Sequence, residues 1–281
     1  MKLMMFSKHL QTMPLARTGQ VVRELGFEGL DLTVRPGGYV EPANVARELP
    51  EAIKTLADCG LKVPLLTTAI TAASDAGAAE TFESAAKNDL KDIKLGYVRY
   101  GQFGGFRATM DQMARDLDSI EKLASQTGVR ANLHIHSGDF MTALAPVVWW
   151  LIKDRNPAAI GAYVDPGHMC VEGGRDGWRM GLDLLGSRVT LVAIKDLAWE
   201  QVEDASLGKP RWQSRIVPLK QGIVPWPRVF ECLRAIRFDG WISVHSEYQG
   251  KHSWRDLSVE ELIEQTREDL QYLRPILATA N

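Results

Sequence analysis

The chain has 281 residues, 45% hydrophobic and 24% charged, a makeup that excludes disorder and leaves material for a large core. Lys and Arg number 33 against 35 Asp and Glu, a formal charge of −2 that offers no field to nucleic acid or to an anionic membrane. The cysteines Cys59, Cys170 and Cys232 are odd in number and widely spaced, so neither a disulfide framework nor a thiolate zinc site is expected.

Length exceeds the usual domain but suits one α/β barrel, so a single domain over 1–281 is expected. The apolar start breaks at Ser7-Lys8-His9, too short for a secretion signal, and no run reaches membrane-span length. A cytoplasmic address with no membrane partner is therefore expected.

In chain order, β-rich apolar runs alternate with amphipathic helical runs. Strands are predicted at Lys2–Phe6, Gly29–Val34, Lys62–Thr67, Tyr97–Phe103, Arg130–His136, Gly161–Asp165, Thr190–Asp196 and Trp241–Glu247. Helices are predicted at Leu15–Leu25, Asn44–Cys59, Ala78–Leu95, Arg107–Gln126, Phe140–Lys153, Trp178–Leu185, Pro225–Ile236 and Val259–Leu273. Gly26, Gly60, Gly96, Gly128 and Gly240 fall near helix ends, where a left-handed residue is often needed. Runs such as Leu191-Val192-Ala193-Ile194 read as strands covered on both faces, the mark of a parallel sheet.

Eight strand–helix units favour closure into a (β/α)8 TIM barrel over an open sheet with exposed edges. No GxGxxG follows the first strand, which argues against dinucleotide binding. The long insertion Leu197–Gly222, with Trp199 and Trp212, reads as a surface loop or a lid over the mouth.

In such a barrel the polar residues at strand carboxyl ends share one mouth. Strand five ends in Leu133-His134-Ile135-His136-Ser137-Gly138, its histidines two apart on one face. Strand six ends in Val164-Asp165-Pro166-Gly167-His168, strand seven in Ala193-Ile194-Lys195-Asp196, and strand eight in Val244-His245-Ser246-Glu247-Tyr248. Imidazoles and carboxylates converging there have the chemistry to hold a divalent ion such as manganese, cobalt, magnesium or zinc.

"HIHSG", "VDPGH", "AIKD" and "SVHSEY", in that order, resemble the strand ends of xylose-isomerase-like barrels, the superfamily of sugar phosphate isomerases and epimerases. The likeness runs from "GFEGLDLTVRPGG" to "EDLQYLRPIL". It implies a metal quartet of Glu, Asp, His and Glu on strands five to eight. Asp165 and Glu247 match; His134 stands in the glutamate slot and Ala193, which coordinates nothing, in the histidine slot. The ligand set implied here is His134, Asp165, His168 and Glu247, with His136 and His245 as further replacements.

The resemblance implies a small carbohydrate substrate and proton transfer next to a carbonyl. Glu247 or a strand-five histidine, His136, moves the proton, and Lys195 polarises a substrate oxygen. His136, His168, Glu172, Lys195, Trp199 and His245 are expected to contact substrate, with Lys8, His9, Arg35 and Arg99 shaping the pocket. The alternatives are a keto-sugar or inosose-type dehydratase on the same site, and a non-catalytic sugar-binding barrel. A DNA-repair reading is disfavoured by six histidines and no basic excess, so no nucleic acid partner is expected. Homo-oligomer assembly fits the resemblance, but no motif fixes an interface.

Overall fold

A computed structural model describes residues 1–278 of the chain. The barrel strands are β1 (Lys2–Phe6), β2 (Gly29–Val34), β3 (Lys62–Thr68), β4 (Asp92–Lys94), β5 (Arg130–His134), β6 (Ile160–Val164), β7 (Val189–Ile194) and β10 (Trp241–Val244). All pair in parallel, and β1 closes the ring against β10. Between β7 and β10 the chain makes an antiparallel ribbon of β8 (Asp196–Val202) and β9 (Arg211–Val217). The helices are α1 (Leu15–Glu24), α2 (Val45–Asp58), α3 (Ala78–Lys87), α4 (Phe106–Thr127), α5 (Ala145–Ile152), α6 (Pro166–Leu185), α7 (Trp226–Ala235) and α8 (Val259–Ala278). The fold is a (β/α)8 barrel, as the alternation predicts. Among the described residues no helix is long and apolar enough to cross a membrane.

Three predicted elements differ. The fourth strand is not Tyr97–Phe103 but the three residues Asp92–Lys94, which the sequence pattern assigned to the end of the third helix. α3 stops at Lys87, and Asp89 takes a left-handed φ of 58° before the chain enters β4. A strand this short shows no alternation of its own; it is held by parallel pairing of Asp92 with Leu65 and Arg130. The predicted sixth helix, Trp178–Leu185, is the second part of α6, which breaks at Gly174 (φ 59°); a first part from Pro166 precedes it, capped by Asp165, whose Oδ1 accepts from the His168 N–H at 3.2 Å. The insertion Leu197–Gly222 is largely the β8–β9 ribbon. A parallel-only reading missed this antiparallel pair, whose solvent-facing residues leave it little apolar pattern.

Of the five punctuating glycines, Gly26, Gly60 and Gly128 have positive φ, whereas Gly96 and Gly240 do not. Gly96 is needed for a different reason: a Cβ there would meet the Ala69 carbonyl oxygen at 2.3 Å.

Inside the barrel, Met4, Leu65, Tyr163, Leu191 and Ala193 form a sealed apolar layer. The outer core lies between the strands and the ring of helices, with Phe27, Phe82, Trp226 and Phe230 fully buried. Because side chains alternate along a strand, residues two positions on from the inner layer point into the mouth. Lys195 follows Ala193 in this way, and Asp165 follows Tyr163.

Candidate active site

The mouth gathers the side chains that end β5, β6, β7 and β10. Oδ2 of Asp165 is its centre. It lies 3.4 Å from Nζ of Lys195, 3.6 Å from Nε2 of His134 and 3.7 Å from Nε2 of His168. These four groups are buried, and Asp165 Oδ2, His134 Nε2 and His168 Nε2 have no hydrogen-bond partner. Leaving three buried polar atoms unmatched is costly, which marks the spot as built for something that arrives.

Lys195 also reaches Glu247, with Nζ 3.3 Å from Oε1. The same carboxylate oxygen lies 3.4 Å from Nδ1 of His245. Nε2 of His245 is 2.9 Å from the Tyr163 hydroxyl, which turns Nδ1 toward Glu247. His136 sits beside the cluster, its ring centroid 3.8 Å from that of His168 and its Nδ1 bonded to the Ser137 carbonyl.

Hydroxyls hold the two central imidazoles. Tyr97 lies 2.6 Å from Nδ1 of His134, and Ser137 2.7 Å from Nδ1 of His168. When each hydroxyl donates, both rings keep their proton on Nε2, facing Asp165. Gly167 completes the packing: a Cβ there would strike the Lys195 carbonyl at 2.7 Å and Leu197 at 2.8 Å.

The electrostatics follow from burial and this one ammonium. Burial opposes the charge on Glu247, but Lys195 and the nearby His245 outweigh it and hold the carboxyl well below its usual range. Burial likewise opposes charge on Asp165, and His168 with Lys195 more than cancels it. Burial would neutralise Lys195, yet Glu247 and Asp165 raise its pKa. Burial first, and then the lysine charges, hold His134 and His168 far below the usual histidine value; His136 is pulled down to about 4 in the same way. At neutral pH Asp165 and Glu247 are thus carboxylates, Lys195 is an ammonium, and His134, His136 and His168 are neutral imidazoles.

Of the residues singled out in the sequence, His134, His136, Asp165, His168, Lys195, His245 and Glu247 come together. Glu172 and Trp199 do not. Glu172 is exposed and its Oε1 accepts from the Gly138 N–H at 2.8 Å, tying the β5 loop to α6. Trp199 lies on the ribbon, 43% exposed, beside Cys170, Arg175 and Arg228. Arg99 pairs with Asp139 in solvent, Arg35 stands 5.9 Å over the Phe6 ring, and His9 is buried against Phe6.

Sequence reasoning missed Asp31, Lys94, Tyr97 and Tyr163. Asp31 is fully buried and accepts from Thr67 at 2.6 Å and Ser243 at 2.9 Å. Lys94 is buried with Nζ 3.5 Å over the Tyr97 ring, its pKa lowered to about 7 by burial and by Arg35. The signals were Asp31 and Thr33 alternating inside an apolar strand, and Asp92 and Lys94 two residues apart. Tyr97 was assigned to a strand and Lys94 to a helix, so neither was placed at the mouth.

The donor set does not suit a divalent ion. Ala193 belongs to the sealed apolar layer, so β7 offers no ligand there. The Lys195 ammonium stands between the two carboxylates that would have to bind the ion. Among the described residues, no group of three or more His, Cys, Asp or Glu side chains has the arrangement of a metal site.

A family model described as xylose isomerase-like TIM barrel matches residues 20–276. A comparison with curated proteins finds no match. Among solved structures, the D-psicose 3-epimerase of Clostridium cellulolyticum H10, crystallised with D-tagatose, superposes with a TM-score of 0.73 at 15% identity over 99% of each chain. The probable 3-DHS dehydratase of petrobactin synthesis from Bacillus anthracis gives 0.67 at 16% identity, over 96% of this chain and 99% of that one. A xylose isomerase-like TIM barrel protein from Mycobacterium smegmatis, solved with magnesium, gives 0.64 at 17% identity, over 96% and 91%. At such identities the likeness establishes the fold alone.

Proposed function

The chain belongs to the xylose isomerase-like TIM barrel family, and we propose that it is an isomerase or epimerase that moves a proton at the carbon next to the carbonyl of a sugar or sugar phosphate. The observation that carries this reading is the convergence of Lys195, His134 and His168 on Asp165, with Glu247 on the far side of the ammonium. One structural neighbour is named a D-psicose 3-epimerase and was crystallised with D-tagatose, and a ligand of that kind fits such a mouth.

A substrate oxygen seated beside Asp165 Oδ2 would meet Nε2 of His134 and of His168, which have no hydrogen-bond partner, and the ammonium of Lys195, whose hydrogen bond goes to Glu247. Those donors stabilise negative charge as it develops on oxygen. Glu247 is ionised at rest and, as the base, takes the proton from carbon. As Lys195 turns toward the substrate oxygen, Glu247 loses part of the charge that depresses its basicity, so the base strengthens as substrate binds. His136, neutral at pH 7, is the second group able to exchange a proton at the rim. Return of the proton to the neighbouring carbon gives an isomer, and return to the opposite face an epimer.

The test is incubation of a panel of ketoses, aldoses and their phosphates in D2O, followed by NMR. Deuterium at a carbon next to a carbonyl, together with a new sugar isomer, is the expected result, and Asp165→Asn and Glu247→Gln should reduce it by about a thousandfold or more. Formation of an unsaturated carbonyl product would assign a dehydratase instead. Binding without any exchange across the panel would leave a sugar-binding barrel.

A further inference from the structure

We propose that the Lys195 ammonium holds the cation position of this barrel and does the work of a divalent ion there, so that turnover needs no bound metal. This rests on the proton-transfer reading above, and it adds which charge receives the substrate's developing oxyanion.

Three independent features lead to it. Lys195 is buried to 1% exposure, and among the described residues it is the one Lys or Arg within 4.0 Å of either mouth carboxylate. Its Nζ lies between Asp165 Oδ2 at 3.4 Å and Glu247 Oε1 at 3.3 Å, bridging two oxygens from different strands as a bound ion would. The β7 position one layer deeper is Ala193, packed among Met4, Leu65, Tyr163 and Leu191 with no polar atom to offer. A divalent ion entering this mouth would meet a fixed positive charge, hydrogen-bonded to Glu247 and paired at 3.4 Å with Asp165. The other buried lysine, Lys94, sits over the Tyr97 ring and pairs with neither carboxylate.

The chemistry balances without a metal. The base takes the proton from carbon, the C–H pair becomes the enediol C=C bond, and the carbonyl π pair moves onto oxygen. That oxygen accepts an N–H bond from Lys195 and, where the charge develops fully, one of its protons. Reprotonation at carbon reverses both movements. No oxidant, reductant or further reactant enters.

The experiment is equilibrium titration of the full chain with Co2+ and, separately, Mn2+ at neutral pH, followed by cobalt absorption and calorimetry. Wild type is expected to show no stoichiometric site up to roughly 1 mM ion. Lys195→Met, which keeps the side chain's bulk and removes its charge, is expected to gain one ion per chain with affinity raised about a hundredfold or more. Wild type binding one ion per chain in the micromolar range overturns the proposal. So does a folded Lys195→Met that binds no better than wild type. If that variant fails to fold, Lys195→Gln takes its place, and the wild-type titration stands without either. No substrate is needed, so a failure here is separate from a failure to find a ketose that reacts.

Discussion

The phenolic oxygen of Tyr97 lies 2.6 Å from Nδ1 of His134, and this contact decides where the imidazole keeps its proton. Burial holds the Tyr97 hydroxyl far above its usual pKa, so it stays protonated and can donate to Nδ1, the arrangement that leaves a donor on Nε2 for the Asp165 carboxylate 3.6 Å away. Nε2–H then faces Asp165. Tyr97→Phe is expected to release this tautomer and lower kcat at least tenfold, with little change in KM. Nitrogen NMR of the ring should show Nε2–H in wild type and a mixture in the variant. An unchanged tautomer with unchanged kcat would show that Tyr97 only packs.

Lys94 contributes a cost to folding. Its amine is pulled from 10.5 to about 7, chiefly by burial and by Arg35, against attraction from Asp31. Between about pH 7 and 10.5 the unfolded chain therefore binds a proton that the folded chain does not, and stability rises with pH across that window. Lys94→Met should stabilise the protein most below pH 7, by at most about 5 kcal/mol, with the gain shrinking toward pH 10.5. Urea unfolding at several pH values measures this. A destabilised Lys94→Met at pH 7 would contradict it.

The histidines predict the acid limb. His9 and His136 are both pulled down from 6.5 to about 4, first by burial, so they stay neutral in the fold while the unfolded chain protonates. The stability these two contribute is fully present above about pH 6.5, is lost as pH drops through the window to about 4, and changes no further below it, where His134, His168 and the depressed carboxyls of Asp165 and Glu247 continue the decline. Replacing either by Gln should remove up to about 3 kcal/mol of that fall. Denaturation midpoints that do not change between pH 6.5 and 4.5 would contradict the assignment.

Asp196, next to Lys195 in sequence, has a structural task. Its Oδ1 accepts from Leu197 N at 2.8 Å and Val224 N at 3.1 Å, and its Oδ2 from Trp226 Nε1 at 2.8 Å, with burial pushing its pKa up to about 7. Asp196→Ala strands buried donors and should cost about 2–4 kcal/mol, visible as a drop in Tm. Trp212→Ala, on an exposed ribbon residue, should stay within about 0.5 kcal/mol. Equal losses in the two variants would mean that the ribbon, and not its anchor, carries the stability.

The sequence exposes the barrel and most of the mouth for one physical reason: long buried strands show continuous apolar runs, and polar residues at their ends stand out. His134, Asp165, His168, Lys195 and Glu247 could be read in this way. β4 could not, because three residues held by neighbouring strands carry no period of their own, and Lys94 and Tyr97 were displaced with it. That Lys195 would stand near Asp165 or Glu247 follows from its place at a strand end, but that it bridges both depends on where three strands stand around a closed ring. The ribbon was hidden by its exposed, charged face, where Arg215 pairs with Glu200.

The most direct test of the account is a crystal structure of the full chain with a ketose, or an unreactive polyol of the same length, in the mouth. The account predicts a ligand oxygen within about 3 Å of Lys195 Nζ and of the Nε2 atoms of His134 and His168, with the carbon-bound hydrogen facing Glu247 or His136. A ligand seated elsewhere, with Lys195 still bridging Asp165 and Glu247 and no sugar oxygen beside it, would contradict it.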